Sequence, residues 1–302
     1  MILNVSGRTD IIGFYSEWFF KRLKAGFVDV RNPFNPQFVS RYSLKKEDVD
    51  ILVITTKNPL PLLSHLDTLS DYTCLFQITL TPYGKDLEPR VPDKNQIISA
   101  ISHLAGIFGP EHIWLRFDPI LLNERYTTEE HAKALEYILD KLAPDISRVI
   151  ISFVDEYKNT LAHHIHALSE SEMHSVGKVL GQIGAKYHMP IQTCSETVDL
   201  SPYGIYPGLC VDPVYLAKLA GHPLAYEPNQ QKRPCACADW RDIGAYNSCL
   251  HFCRYCYANF DEKKIRSNYA SHDPESTMLI GHLEETDIVR EYVPKNRQLS
   301  LF

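Results

Sequence analysis

The sequence predicts an α/β fold built on parallel strands. Through the first 200 residues, short runs rich in β-branched residues alternate with longer segments of helical periodicity. Helices that alternate with strands in this way cover a parallel sheet. Polar side chains also follow several of the runs, at the strand ends where parallel α/β folds place their chemistry. We therefore expect a partial (β/α) barrel or an open sheet of about six to seven parallel strands.

Six strands are predicted in this part of the chain, each a short apolar run bounded by turn or cap residues. They span residues 2–6, 50–56, 73–80, 112–117, 148–154 and 190–194. A seventh short strand is expected at residues 242–246, where it would present a cysteine-rich loop.

Four helices are predicted between the strands, at residues 15–25, 94–108, 128–142 and 170–187. Thr127 or Thr128 caps the third helix, whose first turn carries acidic residues. Prolines punctuate the chain after residue 200, and one short helix is expected near residues 211–220. The expected units are a barrel core of residues 1–200, a cysteine-rich cluster-binding segment of residues 201–282 packed on it, and a flexible tail of residues 283–302.

The composition is typical of a soluble globular protein, with 302 residues of which 44% are hydrophobic and 23% are charged. No apolar run approaches the roughly 18 residues of a membrane span. The N-terminus has neither the basic region nor the cleavage site of a signal peptide. We expect a cytoplasmic protein without a membrane partner, and the absence of phosphate-loop and dinucleotide signatures argues against those nucleotide-binding classes.

The charge is unevenly distributed along the chain. The formal net charge of −6 gives no overall attraction for nucleic acid. Residues 228–270, in contrast, carry seven basic and four acidic side chains. This local excess of positive charge could face phosphates, or it could balance the negative charge of a metal cluster. The second explanation needs no partner and is the one that we favour.

Three cysteines near the C-terminus are the most specific feature of the sequence. Cys249, Cys253 and Cys256 have the spacing C-x3-C-x2-C, and Tyr255 precedes the last of them. Three thiolates so spaced can hold three corners of a [4Fe–4S] cluster and leave the fourth iron open, whereas ferredoxins use four cysteines in other spacings. The alternatives are a zinc site, which usually has two paired ligand arms, or unrelated buried thiols.

The other cysteines fall into two groups. Cys74 stands alone in an apolar run and is predicted to be a small core residue. Cys194, Cys210, Cys235 and Cys237 are enough to close a second metal centre, either a second iron–sulfur cluster or a zinc site. The alternative is a mixture of core thiols and one spare ligand.

The predicted strand ends carry the candidates for catalysis and substrate binding. We expect their polar groups to form a ring around one mouth of the fold, because the carboxyl ends of parallel strands lie on the same side. The candidates are Lys57, Arg116, Asp118, Asp155 and Glu196. The alternative for Arg116 and Asp118 is a structural ion pair inside the barrel.

Residues 244–259, which we call the cysteine loop, resemble the cluster loop of radical S-adenosylmethionine (SAM) enzymes, and in particular that of spore photoproduct lyase-like proteins. The whole chain also resembles an uncharacterised bacterial family that carries this loop near its C-terminus. The segments behind that wider likeness are residues 6–11, 30–36, 56–59, 151–155 and 192–194.

The resemblance implies a [4Fe–4S] cluster on Cys249, Cys253 and Cys256 whose open iron binds SAM, with the Tyr255 backbone near the adenine. It also implies reduction by an electron donor and formation of a 5′-deoxyadenosyl radical. Radical SAM enzymes usually place this loop after their first strand, but here it follows six predicted strands. A circular permutation would resolve the difference. By position it would make the residues after the first strand SAM-binding candidates, namely Gly7, Arg8, Thr9 and Asp10.

The last five residues resemble the peptide with which bacterial replication and repair proteins bind the β sliding clamp. Leu299, Leu301 and Phe302 would enter an apolar groove while Gln298 bonds at its rim. The alternative is a hydrophobic tail that folds back on the domain. The motif favours nucleic acid or nucleotides as substrate and a role in DNA repair. It also supports a second hypothesis, a non-enzymatic iron–sulfur protein recruited to DNA. A third hypothesis is a zinc-stabilised hydrolase that uses Arg116, Asp118 and Asp155.

Overall fold

A computed structural model describes residues 1–224 and 237–293. The strands in these residues are β1 (Ile2–Val5), β2 (Phe27–Arg31), β3 (Phe38–Ser43), β4 (Ile51–Thr56), β5 (Cys74–Thr79), β6 (Ile113–Arg116), β7 (Arg148–Ile151), β8 (Ile191–Cys194), β9 (Ile205–Gly208), β10 (Arg241–Asp242) and β11 (Ile288–Glu291). The α-helices are α1 (Ile11–Ala25), α2 (Leu66–Leu69), α3 (Lys94–Phe108), α4 (Thr128–Leu142), α5 (Lys158–Ala162), α6 (Glu170–Lys186), α7 (Pro213–Ala220) and α8 (Glu262–Ala270). Short 3-10 helices span Leu60–Ser64, Pro110–His112, Ala143–Asp145 and Ser201–Tyr203.

Eight strands form one parallel sheet in the order β10-β1-β4-β5-β6-β7-β8-β9. Apart from β10, the strands of this sheet lie side by side in the order in which they occur along the chain. Connections between parallel strands are right-handed, so an order without reversal puts every crossover on the same face. We call the face covered by α1, α3, α4 and α6 the outer face, and the opposite one, against which α7 packs, the inner face.

The side chains of the sheet alternate between two buried clusters, as the pleat of a strand requires. Leu3, Leu52, Phe76, Leu115 and Val149 belong to the outer cluster, together with apolar residues of α1, α3, α4 and α6. The inner cluster closes the amino-terminal half of the inner face. Its members are Ile2, Ile51, Val53, Leu75, Trp114, Ile150, Val211, Leu216, Cys237 and Ala238.

The helices begin at the residues that the sequence marks as caps. The Asp93 carboxylate accepts hydrogen bonds from the amides of Asn95 and Gln96 at the start of α3, and the hydroxyl of Thr127 accepts one from Glu130 at the start of α4. These side chains satisfy amides that have no partner within the helix. The predicted bounds of α3 and α4 are therefore confirmed.

A small second sheet joins distant parts of the chain. β2 and β3 are antiparallel, and β11 lies parallel to β3 on its other side. Arg41 forms a double hydrogen bond with the buried carboxylate of Asp29 across the hairpin, at 2.8 Å for both bonds. Residues 288–291, which were predicted to belong to a flexible tail, are therefore a paired strand.

The parallel α/β prediction is confirmed, and all six strands predicted before residue 200 are present with slightly shorter bounds. The seventh strand is Arg241–Asp242, earlier than expected because the chain turns directly after Asp242. β9 was not predicted. The segment of residues 201–282 contributes both β9 and β10 to the sheet. The described residues contain no pairing between β9 and β10, so closure into a barrel is not shown. Among the same residues, no helix is long and apolar enough to span a membrane.

The packing of α6 gives a test of the fold. A Cβ at Gly181 would lie 2.1 Å from the carbonyl oxygen of Tyr203, whereas a Cβ at Gly106 in α3 would meet no atom within 4 Å. We expect Gly181→Ala to lower the free energy of unfolding by about 1–3 kcal/mol, because the two segments must move apart. Gly106→Ala is the control and should raise it by about 0.5–1 kcal/mol. Urea denaturation measures both, and equal effects would contradict the close contact.

Candidate functional site

The cysteine loop lies over the carboxyl ends of several strands of the parallel sheet. Its contacts reach the residues after β1, where the Tyr257 hydroxyl donates to the carbonyl of Gly7 at 2.5 Å. They also reach the segment after β5, where the Arg254 amide donates to the carbonyl of Leu87 at 3.0 Å. On the far side, the Asn159 side chain at the start of α5 donates to the carbonyl of Cys256 at 3.0 Å. The sequence-predicted mouth and the cysteine loop are thus one region.

Asn259 holds the loop in shape from within. Its side-chain oxygen accepts hydrogen bonds from the amides of Ser248 and Cys249, at 2.7 and 2.8 Å. Its side-chain nitrogen donates to the carbonyl of Arg8 at 3.1 Å and lies 3.7 Å from the sulfur of Cys256. A single amide therefore fixes both ends of the cysteine run and ties it to β1. Sequence reasoning did not identify Asn259, because nothing in its spacing marks it as a cap.

The three cysteines of the loop are neighbours in a largely buried environment. Cys249 and Cys253 are each 8% exposed, and Cys256 is half-buried. Burial raises the pKa of Cys249 well above its ordinary value, and it also raises that of Cys253, although the charge of Lys57 opposes this. A bound metal is the usual means of holding such thiols as thiolates.

Three thiols at this spacing are the ligands that a [4Fe–4S] cluster would take, one on each of three irons. In the parts of the chain that the structure describes, no group of three or more histidine, cysteine, aspartate or glutamate side chains is arranged to hold a metal ion. Three buried polar atoms near the loop also have no hydrogen-bond partner: Asn4 Oδ1, Thr9 Oγ1 and His251 Nδ1. Unsatisfied atoms of this kind indicate that a polar group belongs beside them.

Glu88 is the centre of a buried charge network beside the loop. Its carboxylate accepts hydrogen bonds from Lys57 at 2.8 Å and from the Thr81 hydroxyl at 2.7 Å, and also from Lys94 and the Tyr255 hydroxyl. Burial alone would raise the pKa of Glu88, but the two lysines outweigh it and hold the pKa at about 2. The network carries two positive charges and one negative charge, so it presents a net positive charge to the cysteines.

Lys57, predicted as a catalytic or substrate residue, belongs to this network. Its ammonium is largely buried, with 15% of the side chain exposed. Burial lowers the pKa of Lys57, but Glu88 and the charge of Cys253 outweigh it, and the net pKa is raised. Sequence reasoning missed Glu88 and Lys94, since both follow a long turn after β5 and no motif marks them.

The residues after β1, predicted as SAM-binding candidates, differ from one another in how many of their polar groups are already hydrogen-bonded. The Asp10 carboxylate accepts hydrogen bonds from Gly13, Thr56, Lys57 and His251, at 2.6 to 2.8 Å. Burial raises the pKa of Asp10, but His251 and the other donors outweigh it and lower the pKa. With both oxygens engaged, Asp10 serves to position α1, β4 and the cysteine loop.

Gly7, Arg8 and Thr9 leave more of their polar groups available. The Gly7 amide donates to Asp242 at 2.8 Å, and the Arg8 guanidinium lies over the Tyr246 ring, 5.5 Å from its centre. The buried Thr9 hydroxyl has no partner. Of the four candidates, Thr9 therefore has the geometry that best suits ligand binding.

Asp242 attaches the loop to the first strand. Its carboxylate accepts hydrogen bonds from the Ser6 hydroxyl at 2.6 Å and from the amides of Gly7 and Gly244, both at 2.8 Å. The turns after β1 and β10 thus donate hydrogen bonds to the same carboxylate. Sequence reasoning placed Asp242 in a strand but gave it no part in the site.

Arg116 and Asp118 form the pair that was predicted from the fourth strand. Arg116 Nη2 donates to Asp118 Oδ2 at 2.5 Å, and Nη1 donates to Gln77 Oε1 at 3.0 Å. Both side chains lie at the inner face, and the charge of Arg116 also acts on Tyr257 of the cysteine loop. The pair is therefore a largely buried ion pair that also bonds to Gln77 of β5.

Asp155 and Glu196 lie at the β7 and β8 side of the mouth. Glu196 accepts a hydrogen bond from the Phe153 amide at 2.8 Å, and Asp155 accepts one from the Tyr157 hydroxyl at 3.2 Å. These contacts orient the segments after β7 and β8. The predicted ring of polar groups is thus divided into three parts. Lys57 bonds to Glu88, Arg116 bonds to Asp118, and Asp155 and Glu196 bond to the segment after β7.

The remaining predicted site residues lie in two places. Cys194, Cys210 and Cys237 come together at the inner face, and the Cys210 and Cys237 sulfurs are 3.4 Å apart. Cys74 is buried, as predicted, in the outer cluster. Cys235 and the terminal residues Gln298, Leu299, Leu301 and Phe302 lie outside the described residues.

Comparison with known proteins assigns the chain to a family. A family model described as a domain of unknown function, DUF1848, matches residues 2–258, so the chain belongs to that family. The match includes all three cysteines of the loop. No curated protein matches the chain. A crystal structure of a candidate alpha-L-fucosidase from Bacteroides thetaiotaomicron VPI-5482 aligns with 12% identity over 75% of this chain and 82% of that chain. Its TM-score of 0.25 is too low to carry an argument.

The Glu88 network gives a prediction for stability against pH. Glu88→Gln leaves two buried lysines without a counter-ion, and we expect it to lower the free energy of unfolding near pH 7 by about 3–5 kcal/mol. Folding lowers the pKa of Glu88 from 4.5 to about 2. Its contribution is therefore complete above pH 4.5 and is lost as the pH falls towards 2.

Urea unfolding of the parent and the variant at a series of pH values measures this effect. The difference between them should be constant near neutral pH and should shrink in acid. Glu130→Gln, which removes an exposed partner of Lys133, is the control and should change stability by at most about 1 kcal/mol. A difference for Glu88→Gln that does not depend on pH would contradict the buried ion network.

Proposed function

We propose that this protein is a radical SAM enzyme whose [4Fe–4S] cluster is held by Cys249, Cys253 and Cys256. The position of the cysteine loop carries the proposal. The loop directly follows a strand of the parallel sheet and lies at the carboxyl ends of the strands, where α/β folds gather their chemistry.

The strand order supports the circular permutation that the proposal needs. β10 lies parallel to β1, with Leu3 opposite Arg241 and Asn4 opposite Asp242. In this arrangement β10 takes the place of the first strand of a radical SAM enzyme and β1 takes the place of the second. A sheet order without reversal, with α1, α3, α4 and α6 on one face, is what a partial (β/α) barrel would need. The inner face would then be the substrate chamber.

Several residues of this chain would support a cluster on the three cysteines. Lys57 supplies positive charge next to Cys253, and the backbone of His251 works against the rise in the pKa of Cys249. The Asn259 nitrogen lies 3.7 Å from the Cys256 sulfur. Such donors and cations offset the negative charge that thiolates and sulfides bring into a buried site.

When bound, the cluster and SAM supply an electron and a 5′-deoxyadenosyl radical that abstracts a hydrogen atom from the substrate. The protein supplies binding, orientation and exclusion of water. The buried Thr9 hydroxyl is a candidate ligand group for SAM, and the Tyr255 ring is held away against Glu88, which leaves its backbone for the adenine. Arg116 and Asp118 lie below the loop, where they would orient a polar substrate.

We further propose nucleic acid or a nucleotide as the substrate. Exposed aromatic side chains lie on the cysteine loop and beside it, among them Tyr257 on the loop and Tyr157 and Phe260 next to it. The rings of Tyr157 and Tyr257 have centres 6.4 Å apart, and Arg254 is exposed nearby on the loop. Aromatic rings beside a cation are suited to stacking unpaired bases and contacting phosphates.

The decisive experiment is electron paramagnetic resonance of anaerobically reconstituted, reduced protein, with and without SAM, combined with an assay for 5′-deoxyadenosine. The parent should show a cluster signal that shifts on addition of SAM and should form 5′-deoxyadenosine. Cys253→Ala should lose both properties, while Cys74→Ala, which removes a thiol on the outer face, should keep them. Retained 5′-deoxyadenosine formation by Cys253→Ala would rule out the assignment. A parent signal indifferent to SAM would favour an electron-transfer or structural cluster.

The terminal peptide supports a second proposal, recruitment to DNA by the β sliding clamp. This proposal rests on the sequence motif alone, since residues 298–302 lie outside the described part. We expect the full chain to be retained by immobilised clamp, and a chain with both Leu301→Ala and Phe302→Ala to lose retention, because the apolar groove would be left empty. Ser300→Ala is the control and should bind like the parent. Equal retention of all three chains would remove the clamp as a partner.

A further inference from the structure

Three thiols converge on the inner face from three separate segments of the chain. Cys194 ends β8, Cys210 follows β9, and Cys237 precedes β10. The Cys210 sulfur lies 3.4 Å from that of Cys237, and Cys194 packs against the same inner cluster. Cys237 is fully buried. Residues that are 16 and 27 positions apart along the chain do not meet in this way through local structure.

Neighbouring thiols and burial raise the pKa of Cys194 and that of Cys210, and the charge of Arg116 opposes this rise. The Arg116 guanidinium is close enough for its charge to act on both Cys194 and Cys210. The Val211 amide points at the Cys237 sulfur, at 3.5 Å. Thiols that served only as apolar filling would gain nothing from a buried guanidinium. Thiolates would gain a counter-charge and a hydrogen-bond donor.

The sulfur–sulfur distance discriminates between three uses of the cysteines. A disulfide joins its sulfurs at about 2.0 Å, so the 3.4 Å contact is not one. A [4Fe–4S] cluster places each thiolate on a different iron and spreads the sulfurs further apart. One tetrahedral ion with metal–sulfur bonds of about 2.3 Å spaces its sulfurs at about 3.8 Å. The observed contact is that of two hydrogen-bonded thiols, and its length is nearer to the spacing around one shared ion than to that of a disulfide.

We propose that Cys194, Cys210 and Cys237 bind one thiophilic divalent metal ion of the zinc type, at a site separate from the cysteine loop. In the described residues Cys210 contacts Cys237, Cys194 packs against the same cluster, and no three such side chains enclose an ion. Binding would therefore draw the three thiols closer together, and they would release their protons to solvent. The three-thiolate set leaves one tetrahedral position for a further ligand.

The site would join the two edges of the parallel sheet. Cys194 and Cys210 flank β9 at one edge, and Cys237 leads into β10 at the other. A metal bound to all three would fasten these edges across the inner face, below the Arg116 pair. Metal binding should therefore stabilise the fold by mass action.

The test uses the full chain with Cys249, Cys253 and Cys256 replaced by alanine, so that no iron–sulfur cluster can form in the loop. This background makes the outcome independent of the radical SAM proposal. After supply of zinc and removal of excess metal, elemental analysis should find about one zinc ion per chain. Adding Cys210→Ser should abolish binding, whereas adding Cys74→Ser should leave it unchanged.

Cobalt(II) is the second probe, because thiolate coordination gives a charge-transfer absorption that a surface-bound ion lacks. The band should be present in the background chain and absent with Cys210→Ser or Cys237→Ser, with circular dichroism checking that each variant is folded. Zinc retained by both serine variants, or no zinc in the folded background chain, would overturn the proposal. A mass two units below that of the reduced chain, with two thiols blocked to alkylation, would instead identify a disulfide and also overturn it.

Discussion

The pairing of β10 with β1 is the contact on which the candidate site depends, because it brings cysteines from the end of the chain to its first strand. A ladder of two residues is by itself a weak attachment. The Asp242 carboxylate reinforces it by accepting hydrogen bonds from Ser6, Gly7 and Gly244. The same anion thus fixes the direction in which the chain leaves both strands. The position of the loop over the sheet follows from that direction.

The region beneath the loop concentrates charge that a simple core would avoid. Glu88, Lys57 and Lys94 are largely buried together, and Asp10 is buried with His251. Well-packed apolar residues in place of a buried ion pair are often as stable or more stable. Stability therefore does not account for these groups, and local rules that fail in this way mark functional sites. Their charges act in opposite directions on the thiols, because Lys57 works to lower the pKa of Cys253 whereas Asp10 raises that of Cys249.

The sequence predicts those parts of the structure that depend on local pattern. The bounds of α3 and α4 follow from caps and helical periodicity, and six strands follow from short β-branched runs. The topological rule for parallel strands also placed Arg116, Asp118 and Lys57 near one mouth. The sheet formed by β2, β3 and β11 was not predicted, since β11 lies some 245 residues further along the chain than β3. Glu88 and Asn259 were not predicted either, because no sequence motif marks the residues to which they bond.

The strand order also has a consequence for biosynthesis. A ribosome delivers β1 and the next eight strands of the chain before it delivers β10 and the cysteine loop, and N-terminal parts of a protein generally fold first. The sheet edge at β1 must then stay unpaired until the last part of the domain emerges. A nascent chain in this state exposes a template for aggregation. If the loop binds the proposed cluster, its iron and sulfide can enter only after β10 and the loop have emerged, so β1 is covered and the cluster is loaded at the same late stage of synthesis.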